Sequence, residues 1–271
     1  MPTATINGLE LHYERHGDAG EPLVLVHGYT GDITDWRHQI AEFAPTHRVL
    51  ALDHRGHGRS EAPRDRAVYT ITNMADDVEA LAVHAGFERY HLVGHSMGGC
   101  VAQEIVLRSP GRLMSLTLHD SGHQPPSGRP DDVASKVMAH SHRVAEAEGM
   151  GAVAELHAKW PAHPNVPAER REEQKARLAR MSVDGFVGAW GALATWEGTA
   201  NRARGIAVST LVICGEHDPL MASAKFFAAE IPGAVLAVIA GAAHAPQQEY
   251  PEAFNLALRG HLSRNTGVGA K

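Results

Sequence analysis

Short apolar runs alternate with longer segments of helical spacing along most of this chain. The run Leu9–His16 alternates between apolar and polar residues, which is typical of an antiparallel strand, whereas a continuous apolar run is typical of a strand buried on both faces. Continuous runs of the second kind occur at Pro22–Val26, Arg48–Leu52, Tyr90–Val93, Leu113–Leu118, Thr210–Gly215 and Ala234–Ile239. Strands that alternate with helices at this spacing predict an α/β protein with a doubly wound, mostly parallel sheet.

The segments between these runs carry apolar residues at the three- or four-residue spacing of amphipathic helices. The segment Ile71–Gly86 predicts a helix that closes on Gly86, because glycine readily adopts the left-handed conformation found after a helix C-terminus. The segment Met97–Ser109 predicts another helix, which Pro110 stops. Further helices are predicted at Trp36–Phe43, Ser223–Glu230 and Pro251–Leu262.

The alternation of strands and helices stops between residues 122 and 205. A linker rich in proline and glycine, Gln124–Pro130, opens this segment, which then shows helical patterns without a strand pattern and holds three of the four tryptophans. We interpret residues 122–205 as a helical cap inserted into an α/β core made of residues 1–121 and 206–271. The final segment, Ser263–Lys271, is expected to fray.

Composition narrows the class of partner. The 271 residues suffice for one large core, and 44% hydrophobic with 21% charged residues is ordinary for a globular protein. The formal net charge of −6 gives no reason to expect a nucleic-acid partner, because such domains usually carry a basic excess. The longest apolar stretch, Ala234–Ala243, is far below the roughly 18 residues that cross a bilayer, so no membrane partner is expected.

The expected location follows from the start of the chain and from its cysteines. The polar start, Met1–Thr5, lacks the basic and apolar regions of a signal peptide. The two cysteines, Cys100 and Cys214, are too few for a disulfide framework, and a pair of buried thiols fits a reducing compartment. We therefore expect a cytoplasmic protein.

The 19 histidines raise the question of a metal site. The chain has neither H-E-x-x-H nor H-x-H-x-D-H spacing, and its two cysteines lie far apart. His54 and His57 lie among arginines and glycines, in a pattern typical of a loop rather than of one helix face. No metal is expected, and most of the histidines are predicted to lie at the surface.

The sequence Gly94-His95-Ser96-Met97-Gly98 stands between a predicted strand and a predicted helix. In this context a G-x-S-x-G pattern places the serine on a sharp turn that exposes its hydroxyl at the carboxyl edge of the sheet. Glycines on both sides allow backbone segments to come closer together than a Cβ permits. Ser96 is therefore the candidate nucleophile, and the alternative is an ordinary helix N-cap.

A serine hydroxyl needs a base in order to attack near neutral pH, and the last two predicted strands end in suitable side chains. One of these strands is followed by Asp218 and the other by His244. Because parallel strands end at the same edge of a sheet, both side chains can reach the edge where Ser96 lies. We predict His244 as the base, with Asp218 fixing its tautomer and stabilising its charged form.

These residues, in this order, resemble the α/β-hydrolase fold family, in its serine esterase and lactonase group, over nearly the whole chain. The matching segments are His27–Gly28, Asp53–Ser60, Gly94–Gly98, Gly215–Asp218 and His244. The resemblance implies an eight-stranded sheet and an oxyanion hole formed by the backbone N–H groups of Tyr29 and Met97. Some related folds place the acid after an earlier strand, which makes Asp120 a rival of Asp218.

The resemblance also implies that the cap shapes the substrate pocket. In that pocket, Trp190 and the ring of Tyr29 are candidate substrate contacts. The loop Asp53–Ser60 is expected to be structural and to brace the surroundings of the nucleophile.

Together the residues and the resemblance predict a serine hydrolase that cleaves carboxylic esters or lactones through an acyl-enzyme, with no metal or organic cofactor. A Trp-bearing cap favours small to medium, mainly uncharged substrates, and acyl-homoserine lactones would suit it. Ser96 disfavours haloalkane dehalogenases and epoxide hydrolases, which carry aspartate at this point. Carbon–carbon bond hydrolases and perhydrolase or haloperoxidase-like enzymes of the same fold stay as alternatives, as does a ligand receptor that keeps the triad.

Overall fold

The computed structural model describes residues 2–126, 133–160, 164 and 166–266, and an eight-stranded sheet runs through them. The strands are β1 (Thr3–Ile6), β2 (Leu9–His16), β3 (Glu21–Val26), β4 (His47–Leu52), β5 (Tyr90–His95), β6 (Leu113–His119), β7 (Thr210–Gly215) and β8 (Val235–Ile239). All but β1 lie where the apolar pattern predicts a strand. The four residues of β1 are too few for such a pattern to be recognised.

The strands lie in the order β1-β2-β4-β3-β5-β6-β7-β8. β2 pairs antiparallel with both β1 and β4, and the remaining pairs are parallel. This arrangement confirms the mostly parallel, eight-stranded sheet. Because β3 to β8 all point the same way, the loops that follow them meet at one edge, where open α/β sheets place their ligands.

Helices supply the crossovers between the parallel strands. They are α1 (Arg37–Phe43), α2 (Ile71–His84), α3 (Met97–Arg108), α4 (Val133–Glu148), α5 (Met150–His157), α6 (Ala168–Arg180), α7 (Val183–Thr195), α8 (Met221–Glu230), α9 (Pro246–Glu249) and α10 (Pro251–Leu262). The Thr70 hydroxyl caps α2 by accepting the backbone N–H of Asn73. Gly86 follows α2 with a φ of 76°, as the sequence predicts for a glycine after a helix C-terminus.

Both faces of the sheet are covered by helices, which explains why the parallel strands read as continuous apolar runs. One face packs against α2, α3 and α8 through the buried side chains Val24, Val26, Leu50, Leu52, Leu92 and Leu116. The other face packs against α1 and α10 through Leu23, Leu25, Val49, Ala51 and Val93. Adjacent residues of one strand thus enter two different cores, as the two-residue period of a strand requires.

Helices α4 to α7 lie between β6 and β7 in the chain and share a small apolar cluster that includes Met138, Val153, Leu178 and Phe186. Ion pairs tie α6 to the segment after β3, since both Arg170 and Arg177 bind the buried carboxylate of Asp35 at 2.7 Å. The division at residues 122 and 205 into core and cap stays a prediction. The expected linker at 124–130 and the expected tail at 263–271 lie partly outside the described residues.

Two sequence-based expectations concern the surroundings of the protein. In the described part of the chain, no helix combines the length and the apolar character that crossing a bilayer needs. Cys100 and Cys214 are both buried and unbonded to each other. The cytoplasmic location stays a prediction.

Candidate active site

The turn from β5 into α3 holds Ser96 in a strained conformation, with φ 51° and ψ −114°. The glycines on either side allow this turn. A Cβ on Gly98 would lie 2.3 Å from the carbonyl oxygen of Val26, and a Cβ on Gly94 would lie 2.4 Å from that of Gly98. The strain therefore has the form expected of a nucleophile turn, in which the serine hydroxyl is presented at the carboxyl edge of the sheet.

Loops after β7 and β8 bring a carboxylate and an imidazole to this serine. His244 Nδ1 donates a hydrogen bond to Asp218 Oδ2 at 2.6 Å, and the Ser96 hydroxyl lies 3.1 Å from His244 Nε2. Asp218 is buried, whereas the His244 side chain is 45% exposed and so open to a substrate. The structure thus brings together the three side chains that the sequence singles out, in the geometry of a base-activated nucleophile.

Electrostatics favour a charged Asp218. Burial alone would raise the pKa of this carboxyl, but the hydrogen bond and the charge of His244 outweigh burial and lower the pKa to about 2. A backbone N–H, that of Leu220, also donates to Asp218 Oδ1. Asp218 is therefore ionised at neutral pH and able to stabilise a charged His244.

Asp120, the rival acid, lies close to the same histidine. One ligand atom each of Asp120, Asp218 and His244 falls within 4.8 Å of the other two, the only such group of possible metal ligands among the described residues. His244 Nδ1 donates its hydrogen bond to Asp218 and not to Asp120. Asp120 instead accepts the backbone N–H of Gly215 at 2.9 Å and lies 3.0 Å from His119 Nδ1.

The backbone N–H groups of Tyr29 and Met97 lie on the two loops that flank the serine, after β3 and β5. Within the described residues neither of them has a hydrogen-bond partner. The first loop passes close to the nucleophile, because a Cβ on Gly28 would lie only 3.0 Å from Ser96 Cβ. Two free donors beside a serine are what an oxyanion hole requires.

Fewer histidines lie at the surface than the sequence predicts. The buried ones are His12, His27, His54, His57, His91, His95, His119 and His261. His95 donates from Nε2 to the backbone carbonyl of His244 at 2.8 Å and stacks on the ring of His119, with 4.5 Å between ring centroids. Burial and the nearby His244 lower the pKa of His95 to about 4, so it is a neutral ring that holds the loop of the base.

A cavity of about 720 Å³ opens beside His244. Tyr29 and His95 line it from the core, and Ala154 and Leu178 line it from α5 and α6. Trp190 is not among the described residues that line this cavity. Its ring packs against that of Tyr29, at 5.7 Å between centroids. The substrate contact of Trp190 stays a prediction, as does that of the Tyr29 ring, whose hydroxyl donates to the carbonyl of Phe186.

The model of the alpha/beta hydrolase fold family matches residues 21–251. The chain therefore belongs to this family, as its motifs and its sheet both indicate.

Several similar proteins carry hydrolase names. A protein from Azorhizobium caulinodans with the provisional name carbamate hydrolase RutD is 32% identical over 96% of this chain and 97% of its own length. The enol-lactonase from Burkholderia xenovorans LB400 is 28% identical with a TM-score of 0.86, covering 97% of this chain and 100% of the enzyme. A thermophilic esterase from Thermogutta terrifontis is 28% identical with a TM-score of 0.86, covering 98% of both chains. Family and relatives together support hydrolase activity.

Proposed function

We propose that this protein is a metal-independent serine hydrolase that cleaves carboxylic esters or lactones through a Ser96–His244–Asp218 triad. The observation that carries the proposal is the unbroken chain of hydrogen bonds from Asp218 through His244 to Ser96, at 2.6 Å and 3.1 Å. Each contact is within the range that proton transfer needs. The strained turn at Ser96 and the two free N–H groups beside it supply the other parts of this chemistry.

The reaction follows from these positions. Ser96 attacks the carbonyl carbon while His244 Nε2 takes the hydroxyl proton, and Asp218 stabilises the imidazolium. The N–H groups of Tyr29 and Met97 bind the oxyanion, each contributing about 3 kcal/mol to lowering the barrier. His244 then protonates the leaving alkoxide, and water activated by His244 releases the acid from Ser96.

We propose small to medium, mainly uncharged substrates. The charged residues in the cavity wall are partly engaged already, since Arg177 binds Asp32 and Asp35, and Lys175 binds Glu155. The insertion α4–α7 supplies much of the wall, and we propose that it acts as a cap. The enol-lactonase and esterase among the similar structures support the ester and lactone classes. The provisional carbamate hydrolase makes carbamates the second candidate, because they present a similar carbonyl to the same serine.

A substrate panel tests this proposal. We expect steady turnover of p-nitrophenyl esters and of γ-lactones of graded acyl length, with higher kcat/KM for neutral acyl groups than for matched acyl groups that end in a carboxylate. A serine-directed fluorophosphonate should abolish activity and label Ser96, whereas EDTA should leave the activity in place. Turnover only of carbamates would favour the second candidate, and a single burst without turnover would favour a receptor.

Replacing Gly28 tests the oxyanion loop. A Cβ at Gly28 would lie 2.9 Å from His95 Nδ1 and 3.0 Å from Ser96 Cβ, so either the loop or the nucleophile must shift. We expect Gly28→Ala to lower kcat for a p-nitrophenyl ester about 10- to 100-fold, because a displacement of this kind misaligns the oxyanion donors. Gly111→Ala is the matched control, since a Cβ there has open space and its glycine conformation is ordinary. A wild-type kcat in Gly28→Ala would contradict the assignment.

A further inference from the structure

A second buried carboxyl, that of Asp120, lies against the acid of the proposed triad. Asp120 follows β6 and is 1% exposed, whereas Asp218 follows β7 and is 4% exposed. One carboxyl oxygen of Asp120 lies within 4.8 Å of one of Asp218. No arginine or lysine of the described residues forms an ion pair with either of them, so His244 is the available cation.

Two carboxyls this close together in a buried site cannot both carry a negative charge at moderate cost, so one of them holds a proton. Asp218 is the carboxyl that carries the negative charge, because His244 and the N–H of Leu220 both donate hydrogen bonds to it. Asp120 accepts a single backbone N–H, from Gly215. Burial raises the pKa of Asp120 well above its usual range, and the contact with Asp218 raises it further.

The remaining groups that face Asp120 are the ring of His119 and the thiol of Cys214. Burial and the nearby His95 hold the pKa of His119 well below its usual range, and burial also raises the pKa of the Cys214 thiol. Both neighbours are therefore uncharged near neutral pH. Neither of them supplies a positive charge that would balance a negative charge on Asp120.

We propose that Asp120 is a positioning residue of the triad: its protonated carboxyl donates a hydrogen bond to Asp218, and it becomes the charged partner of His244 when Asp218 is neutralised. The second role follows from the distance between Asp120 and His244, because a carboxyl oxygen of Asp120 lies within 4.8 Å of a ring nitrogen of His244. The inference rests on the proposed function.

Single substitutions test the protonation of Asp120. Asp120→Asn keeps a donor for Asp218, so we expect kcat to fall only about threefold and the acid limb of kcat/KM to stay at the same pH. Asp120→Ala removes the donor, and we expect a loss of about 10- to 30-fold in kcat. If Asp120 were ionised, Asp120→Asn would remove a negative charge beside His244 and move the acid limb down by about one pH unit, which would overturn the inference.

A double-mutant cycle tests the second role. Among the described residues, Asp120 is the carboxyl that lies with Asp218 within 4.8 Å of a His244 ring nitrogen. In the Asp218→Asn background, adding Asp120→Asn should therefore lower kcat at least about 30-fold further. If the role of Asp120 were purely structural, Asp120→Asn would lower kcat by the same small factor in the wild type and in the Asp218→Asn variant. Equal factors would therefore overturn the inference, provided that the thermal unfolding of each variant shows it to be folded.

The proposed function fails separately. Activity that survives Ser96→Ala, or that is unaffected by Asp218→Asn, would contradict the proposed triad mechanism. If both of these variants are impaired while Asp120→Asn lowers kcat by the same factor in both backgrounds, the proposed triad is supported and only the proposed role of Asp120 is wrong.

Discussion

Ser96→Ala is expected to lower kcat for a p-nitrophenyl ester by about 10⁴-fold or more, because the proposed mechanism forms the acyl-enzyme on the Ser96 hydroxyl. The Ser96 hydroxyl is the atom that lies 3.1 Å from His244 Nε2, on the strained turn between β5 and α3. Alanine removes this hydroxyl and leaves His244 and Asp218 in place. Pre-steady-state kinetics should show that the burst of p-nitrophenol disappears together with turnover.

Ser109→Ala is the matched control for this prediction. Ser109 lies at the opposite end of α3, and its side chain makes no capping hydrogen bond to the turn that follows, so kcat should stay close to that of the wild type. Circular dichroism and thermal unfolding should show both variants folded. If Ser96→Ala keeps more than a few per cent of the wild-type kcat, nucleophilic catalysis by Ser96 is excluded.

The fold was predictable from the sequence because its signal is local. A strand covered on both faces must be apolar throughout, and α2 ends at Gly86, where a left-handed conformation is needed. The candidate site was predictable for a related reason. Once the sheet is parallel, the loops after its strands must meet at one edge, so Ser96, Asp218 and His244 come together although they lie far apart in the chain.

Contacts between neighbouring strands were not predictable, because they depend on the strand order. Asp120 and Asp218 meet because β6 and β7 are adjacent in the sheet, and the N–H of Gly215 on β7 binds Asp120 directly. Along the chain, the whole insertion α4–α7 lies between β6 and β7. No local pattern in the sequence marks these two carboxyls as neighbours.

Burial of polar side chains was also missed, because a helical or strand period does not reveal which charges find partners. The sequence of α6 is highly charged, and nothing in its pattern shows which of these charges are buried. In the structure its Arg170 is buried against Asp35 and therefore helps to hold the insertion to the core. The buried histidines follow the same rule: His27 accepts the backbone N–H of His54 at Nε2, which joins the loops after β3 and β4.

Asp77→Ala is expected to lower the free energy of unfolding by about 3–5 kcal/mol, because it leaves a buried guanidinium without a counter-charge. Arg55, in the loop after β4, donates to both carboxylate oxygens of Asp77 on α2, at 2.7 Å and 2.8 Å. The side chains are 5% and 0% exposed. Chemical denaturation should show the loss, and Tm should fall by roughly 10 °C.

Asp76→Ala is the matched control, because Asp76 precedes Asp77 and pairs with Arg108 at 2.7 Å while 49% exposed. A surface pair of this kind contributes about 0–1 kcal/mol, so its loss should change Tm little. Equal losses in the two variants would show that the burial of the Arg55–Asp77 pair is not what stabilises the protein. Replacing both partners, as Arg55→Met with Asp77→Leu, should recover much of the loss, since no charge then stays buried alone.

The Asp77→Ala variant also shows whether the buried pair affects catalysis as well as stability. Arg55 also donates to the carbonyl of Val68, so the pair fastens the loop after β4 to the segment that leads into α2. No atom of the pair belongs to the triad or to the proposed oxyanion hole. Well below its Tm, Asp77→Ala should therefore keep most of the wild-type kcat, whereas a large fall in kcat in the folded variant would show that the loop takes part in catalysis rather than only bracing the site.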